Sequence, residues 1–237
     1  MNIALLGYGK MGKEIEQIAL QRNHTVVLKI GRNNIHDLTP QQLKQADVAI
    51  EFSTPDAVAE NIYTCFDADL PIVAGTTGWY NRFDEIKTTC LKNNQSLFYA
   101  TNFSLGVNLF FKMNEQIAKM MNNFSDYKVA MQEIHHIHKL DKPSGTAITT
   151  AERVLANYHQ KNKWSIENGM DKNLFIDVVR TDEVPGTHTV SYTSAVDEIS
   201  ITHKAFNRKG FALGAVLAAE FIQYKKGVYT MSDLLNL

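Results

Sequence analysis

The stretch Gly7-Tyr8-Gly9-Lys10-Met11-Gly12 directly follows the apolar run Ile3-Ala4-Leu5-Leu6 and leads into a segment of helical periodicity. Few local patterns restrict a fold more. The first glycine permits a tight turn after a strand, the second lets the backbone approach a pyrophosphate, and the third lets helix and strand pack closely. The N–H groups and the positive dipole end of the following helix would then face the phosphate. Gly7, Tyr8, Gly9, Lys10, Met11 and Gly12 are therefore candidate dinucleotide contacts. The alternative is a glycine turn in an α/β fold that holds no nucleotide.

The segments that follow keep the same alternation. A helix is expected over Met11–Gln21, with Ile15, Ile18 and Ala19 on one face, and strands over Thr25–Ile30, Val48–Phe52, Pro71–Ala74 and Ser96–Tyr99. Thr54 and Pro55 read as an N-cap and a first helical residue. Strands alternating with helices build a parallel sheet covered on both faces, with ligands at the carboxyl ends of the strands. The polar loops containing Gly75, Thr76 and Thr77, and Ala100, Thr101, Asn102 and Phe103, fall at such ends.

Beyond Phe103 the pattern changes. A helix over Leu105–Met121 and a strand over Tyr127–Ile134 precede a helix over Ser144–Tyr158. Strands over Phe175–Arg180, Thr187–Thr193 and Glu198–Lys204 then follow one another without helices, which argues for an antiparallel or mixed sheet. A last helix, Phe211–Tyr224, is closed by Gly227 as C-cap and returns to the first domain. The expected fold class is α/β. A Rossmann-type doubly wound parallel sheet (residues 1–104 and 211–237) accompanies an α+β domain with a mixed sheet (residues 105–210).

Composition narrows the functional classes. The 237 residues are 44% hydrophobic and 21% charged, which is ordinary for a globular protein. A net charge of -1, with no basic run interleaved with aromatics, argues against a nucleic-acid partner. Cys65 and Cys90 give neither a disulfide framework nor metal-ligand spacing. The longest apolar run, around Phe211–Ala219, is too short to span a bilayer. With no signal peptide in view, the chain reads as cytoplasmic, with no membrane partner.

Two segments carry the chemistry. Where a dinucleotide fold usually places a ribose-binding carboxylate, this chain reads Lys29-Ile30-Gly31-Arg32, with no acid before Asp37. Arg32, with Lys29, is suited to a 2′-phosphate and leans the cofactor from NADH toward NADPH; both residues also read as ordinary surface cations. The second segment is His135-His136-Ile137-His138-Lys139-Leu140-Asp141-Lys142-Pro143-Ser144-Gly145-Thr146. On a strand, His136 and His138 would share one face and His135 and Ile137 the other. Imidazoles and an amine suit proton transfer near neutral pH. The alternatives are a zinc site, for which no partner carboxylate or cysteine stands at a convincing spacing, and a solvated strand end. Ser144 reads as the cap of a helix whose first N–H groups, at Gly145 and Thr146, make a carboxylate pocket.

These residues together resemble the 4-hydroxy-tetrahydrodipicolinate reductase family, also called dihydrodipicolinate reductases. Glu133, His135, His136, Lys139, Asp141, Pro143, Ser144, Gly145 and Thr146 stand in register with the family signature. The likeness extends through Gly75–Gly78, Asn102–Ser104, Gly186–His188, Ile201–His203 and Phe211–Ala215. Lys142 replaces an alanine, Gly31 stands where many members carry an acid, and Asp182 stands where glycine is common.

The resemblance implies hydride transfer from NADH or NADPH to a cyclic dicarboxylate, with loss of water, in lysine biosynthesis through diaminopimelate. It implies His135 and Lys139 as proton-transfer residues and His136, Ser144, Gly145 and Thr146 at the substrate carboxylates. It places the glycine loop, Gly75–Thr77 and Ala100–Phe103 on the dinucleotide, names no metal, and implies a homotetramer assembled through the second domain's sheet, with closure over the substrate. Rival readings are another two-domain nicotinamide dehydrogenase, a dinucleotide sensor without turnover, and a zinc hydrolase.

Overall fold

The strands at the centre of the first sheet are buried along their whole length. Every residue of Val48–Glu51 and of Ile72–Ala74 is out of solvent, as only helices on both faces of a parallel sheet allow. In the computed structural model, which describes residues 1–169, 172–207 and 209–237, the chain opens with β1 (Asn2–Leu6), α1 (Lys10–Gln21), β2 (Thr25–Ile30), the single turn α2 (Pro40–Leu43), β3 (Val48–Glu51), α3 (Val58–Asp67), β4 (Ile72–Ala74), α4 (Phe83–Lys92) and β5 (Ser96–Tyr99). It continues through α5 (Leu105–Met121), β6 (Lys128–His135), α6 (Gly145–Leu155), β7 (Lys163–Ser165), β8 (Asn173–Arg180), β9 (Thr187–Thr193) and β10 (Glu198–Lys204). It closes with α7 (Lys209–Ile222), β11 (Gly227–Tyr229) and α8 (Met231–Leu235).

The chain divides into two units. The first joins Met1–Leu105 to Lys209–Leu237, and the second is the segment between them. The first holds a six-stranded parallel sheet in the order β11-β5-β4-β3-β1-β2. The chain winds outward from β1 to β2 and then resumes at β3 on the other side, so the order reverses between β1 and β3. Alternate residues go to opposite faces. Ile3, Leu5, Ile50 and Val73 pack with α1 and α7, while Ala4, Leu6, Ala49 and Ile72 pack with α3 and α4. Each large side chain buried in this way contributes about 1.5–3 kcal/mol of transfer free energy.

The second unit carries the expected mixed sheet, ordered β10-β9-β6-β8-β7. The β6–β8 and β7–β8 pairs are parallel, and the β6–β9 and β9–β10 pairs antiparallel. One face packs Val129, Met131, Leu174, Ile176 and Val190 against α5 and α6. The other carries hydroxyl pairs, Thr189 with Thr202 at 3.0 Å and Ser191 with Ser200 at 3.1 Å.

Three local expectations change. Thr54 caps no helix: the N–H groups of Ala57 and Val58 both go to its carbonyl, and α3 starts at Val58 after that turn. Gly227 is not the C-cap of α7, which ends at Ile222. Its φ of 123° and the bond from its N–H to the Gln95 carbonyl start β11 instead. The strand bearing the histidines stops at His135, so Ile137 and His138 lie in a turn rather than on a sheet face.

Candidate active site

In the first unit, the loop after β1 lies at the carboxyl edge of the sheet where the strand order reverses, the usual ligand crevice of such sheets. Gly7 has φ 98°, and a Cβ there would lie 2.1 Å from the Phe52 carbonyl oxygen, so only glycine fits against the end of β3. Its N–H and that of Tyr8 both bond the Ile30 carbonyl, at 2.9 and 2.8 Å. Gly9 faces open space where a Cβ would stand. It precedes α1, which has no side-chain cap and no acid in its first turn. Lys10, Met11 and Gly12 form that first turn. An N-terminus left in this state suits a phosphate. A cleft of about 630 Å³ runs from this loop along Gly31, Arg32, Ser53 and Asn61.

The ribose end separates the two cations. Lys29 Nζ lies 2.5 Å from Glu16 Oε1 and 5.1 Å from the centre of the Tyr8 ring, and the Tyr8 hydroxyl donates to Glu16. The bonds from Lys29 and Tyr8 hold the Glu16 carboxyl below its ordinary range. Arg32 is exposed and makes no ion pair among the described residues. Asn34 fastens the loop by accepting from the Gly31 N–H at 2.8 Å and donating to the Lys29 carbonyl at 2.9 Å.

A residue the sequence reading passed over organises the neighbouring loops. Glu51 is fully buried at the end of β3. It accepts from the Ser53 N–H at 3.0 Å, from the Ser53 hydroxyl, and from Asn61 Nδ2 at 3.3 Å. Burial pushes its carboxyl above the usual range. The Ser53 N–H also reaches Thr76 Oγ1 at 2.8 Å, tying the loop of Gly75, Thr76 and Thr77 to the cleft wall. Ala100–Phe103 lie beyond β5 on the same edge. There Thr101 is exposed, Asn102 Oδ1 accepts from the Ser104 N–H at 2.9 Å, and Phe103 is a core residue tilted against the rings of Phe52 and Phe98, leaving only its backbone for a ligand.

In the second unit, the end of β6 gathers the acid–base residues. The burial pattern along the strand places Val129, Met131, Glu133 and His135 on the inner face. Glu133 Oε1 accepts from the Ser144 N–H at 3.0 Å and from Arg180 Nη2 at 3.0 Å. Its Oε2 lies 3.2 Å from His135 Nδ1 and 3.7 Å from His188 Nε2, close approaches without aligned hydrogen-bond geometry. Burial alone would raise this carboxyl. The contacts with His135, His188, Ser144 and Arg180 outweigh it and hold the group well below the usual range. Burial pushes the His188 imidazole down.

The other predicted residues sort by exposure. His136 is half-buried, with Nδ1 buried and unpaired among the described residues. His138 is exposed beside Glu183. Lys139 Nζ lies 2.8 Å from Asp141 Oδ1, and Arg180 Nη2 donates to the Asp141 carbonyl at 2.6 Å. Ser144 caps α6 by accepting from the Ala147 N–H at 3.1 Å, which puts Gly145 and Thr146 in the first turn. Lys142 is exposed, and Asp182 has φ 44°, the region that favours glycine.

Chemistry narrows further from these contacts. Ser144, His188 and Glu133 do not form a hydrolase triad, because Ser144 Oγ, at 3.2 Å, and the carboxylate both approach the same His188 nitrogen. Glu133, His135 and His188 offer three ligand atoms within 4.8 Å of one another, the partner carboxylate that the sequence reading did not find. Arg180 already holds that carboxylate, and its cation opposes a second one there.

Comparison with known proteins follows the same division. Residues 1–103 match the family model described as dihydrodipicolinate reductase, N-terminus, and residues 106–235 the one described as dihydrodipicolinate reductase, C-terminus. A 4-hydroxy-tetrahydrodipicolinate reductase of Christiangramia forsetii is 47% identical over 237 residues, covering 100% of this chain and 98% of the relative. One from Thermosipho africanus is 33% identical over 238 residues, with 100% and 98% covered. The solved structure of a dipicolinate-bound dihydrodipicolinate reductase from Paenisporosarcina sp. TG-14 superposes with a TM-score of 0.81 at 22% identity, covering 97% of each chain. With both halves matched and full-length relatives at this identity, the chain belongs to the dihydrodipicolinate reductase family.

Proposed function

We propose that this protein reduces 4-hydroxy-tetrahydrodipicolinate to tetrahydrodipicolinate, with loss of water, in lysine biosynthesis through diaminopimelate, and that it prefers NADPH to NADH. The observation that carries the reading is the end of β6. There His135, Lys139 and the Ser144-capped start of α6 are gathered in a chain whose full-length relatives bear the reductase name.

The first unit binds the dinucleotide through the glycine loop, the Gly75–Thr77 loop and the backbone of Ala100–Phe103, and the bound cofactor supplies the hydride. Arg32, with no ion pair among the described residues and beside a Gly31 that offers no carboxylate, meets the 2′-phosphate, while Lys29 is held by Glu16. In the second unit, the first turn of α6, with Gly145, Thr146 and Ser144, receives one substrate carboxylate and His136 steadies the other. Lys139 and His135 stabilise the negative charge that develops on the reacting conjugated system and return a proton to it.

No helix among the described residues is long and apolar enough to cross a membrane. The reading extends to a cytoplasmic homotetramer. Exposed Val196, Ile199 and Phe206, on and beside β10, support coverage of this sheet in an assembly.

The test follows oxidation of NADPH and NADH side by side, with substrate made in situ from pyruvate and aspartate semialdehyde by the preceding synthase. Substrate-dependent oxidation, faster with NADPH, is expected. Cofactor binding without oxidation would overturn the reading and favour a sensor.

A further inference from the structure

We infer that Glu133 is a positioning residue for the acid–base groups, an inference that rests on the reductase reading and adds a part to it. The carboxylate is fully buried, yet three separate pieces of the second unit converge on it. His135 stands two residues along the same strand face, with Nδ1 3.2 Å from Oε2. The start of α6 is tied to Oε1 through the Ser144 N–H at 3.0 Å. The turn bearing Lys139 hangs from Oε1 through Arg180, whose Nη2 also holds the Asp141 carbonyl at 2.6 Å. One anion therefore sets the place of the proton donors and of the anion pocket together.

Stability alone does not account for this arrangement. Burying an ion pair strips both ions of their hydration, and apolar residues of similar volume serve folding as well. Oε2, which makes no aligned hydrogen bond among the described residues, adds an orientational effect. A carboxylate facing His135 Nδ1 favours the tautomer with its proton on that nitrogen, leaving Nε2 for exchange, as the buried carboxylate does in a catalytic triad. The other charged or titratable groups gathered around it are His188, Arg180, Lys139 and Asp141. His188 offers Oε2 a second imidazole, at 3.7 Å.

The experiment compares wild type, Glu133→Gln and Glu133→Asp as full chains, with steady-state kinetics in the synthase-coupled assay, NADPH titration, melting temperature and histidine-ring 15N NMR. Gln keeps an acceptor for Ser144 and Arg180 but removes the charge. Its kcat is expected to fall about 30- to 100-fold, the scale of a misplaced catalytic group. KM for substrate and Kd for NADPH should stay within about threefold, and the Nδ1–H ring signal of His135 should be lost. Asp, which keeps the charge on a side chain one methylene shorter, should recover part of kcat.

Turnover of Glu133→Gln within threefold of wild type would overturn the inference. So would equal losses in Gln and Asp that track melting temperature, or a wild-type His135 protonated on Nε2. The last readout needs no turnover. An inactive wild type with the Nδ1–H signal intact would sink the reductase reading and leave the positioning of His135 standing.

Discussion

Gly186→Ala tests whether His135 acts through its placement. Gly186 precedes β9, has φ 155°, and would put a Cβ 3.0 Å from His135 Nε2 and 3.2 Å from Cδ2. Ordinary contact begins at 3.4 Å, so the ring must retreat by about 0.4 Å (3.4 less 3.0). It has little room. Glu133 Oε2 stands 3.2 Å from its other nitrogen, and the His188 ring crosses it edge-on at 5.0 Å. The backbone of Gly186 is pinned as well, its carbonyl accepting from the Ala205 N–H at 2.9 Å. Backbone strain and overpacking together are expected to cost about 1–3 kcal/mol. At roughly 2–4 °C per kcal/mol for a chain of this size, that lowers the melting temperature by several degrees. A catalytic group misplaced by about 1 Å can lose about a hundredfold in rate, so a retreat of about 0.4 Å is expected to lower kcat about 5- to 10-fold in the coupled assay. Kd for NADPH should not change, because Gly186 belongs to the second unit. A folded Gly186→Ala protein that kept kcat within twofold would refute the reasoning.

Arg32→Ala is expected to raise KM for NADPH about tenfold or more and to leave NADH within twofold, read from parallel oxidation rates. Equal losses with both cofactors would instead make Arg32 a general surface contact. Gly7→Ala forces a Cβ to within 2.1 Å of the Phe52 carbonyl at φ 98°, adding a backbone clash to the roughly 1–2 kcal/mol cost of that conformation. NADPH affinity, measured by fluorescence titration, should drop at least about tenfold. Glu220 accepts two bonds from Arg22, both at 2.7 Å, and contacts His24; hydrogen bonding by Arg22 holds its carboxyl below the ordinary range. Its contribution to stability is full above the unfolded value of about 4.3 and is lost as pH falls from there through the folded value. Because the pair is partly exposed, the contribution is under about 1 kcal/mol. Glu220→Gln should lower the melting temperature slightly at pH 7, with the gap to wild type closing in acid. A gap that widened in acid would contradict this sign.

Local chemistry explains which parts of the molecule could be read from sequence. Thr25–Ile30, Leu105–Met121, Thr187–Thr193 and Glu198–Lys204 fold with the bounds their patterns imply. A buried run, a helical stripe and a period-two alternation each carry their own signal. β7 and β11 do not. Each has three residues, too few for a period, and each exists through pairing with another strand, Lys163–Ser165 against Asn173–Phe175 and Gly227–Tyr229 against the distant Ser96–Phe98. The glycine loop was legible because its requirements are met within six residues. Glu51 was not, because it ends an apolar strand and only the fold shows that Asn61 of α3 bonds it and that the Thr76 loop is tied to Ser53 beside it.

The second unit's site shows the same limit more sharply. Its named histidines lie in one stretch of sequence, but the groups around them come from register. Glu133 is opposed by His188 across the antiparallel β6–β9 pair, and His135 is matched with Arg180 across the parallel β6–β8 pair. Neither juxtaposition is visible until three strands are aligned. What fixes the alignment is the apolar half of β6: Val129 and Met131 face the core, and with a period of two the same face then carries Glu133 and His135. A slip of one residue would turn Gln132 and Ile134 inward and send Glu133 and His135 to the opposite side. The hydrophobic stripe that stabilises the sheet is therefore also what aims the ionisable pair, and moving the pair without unpacking Val129 and Met131 requires a bulge in β6.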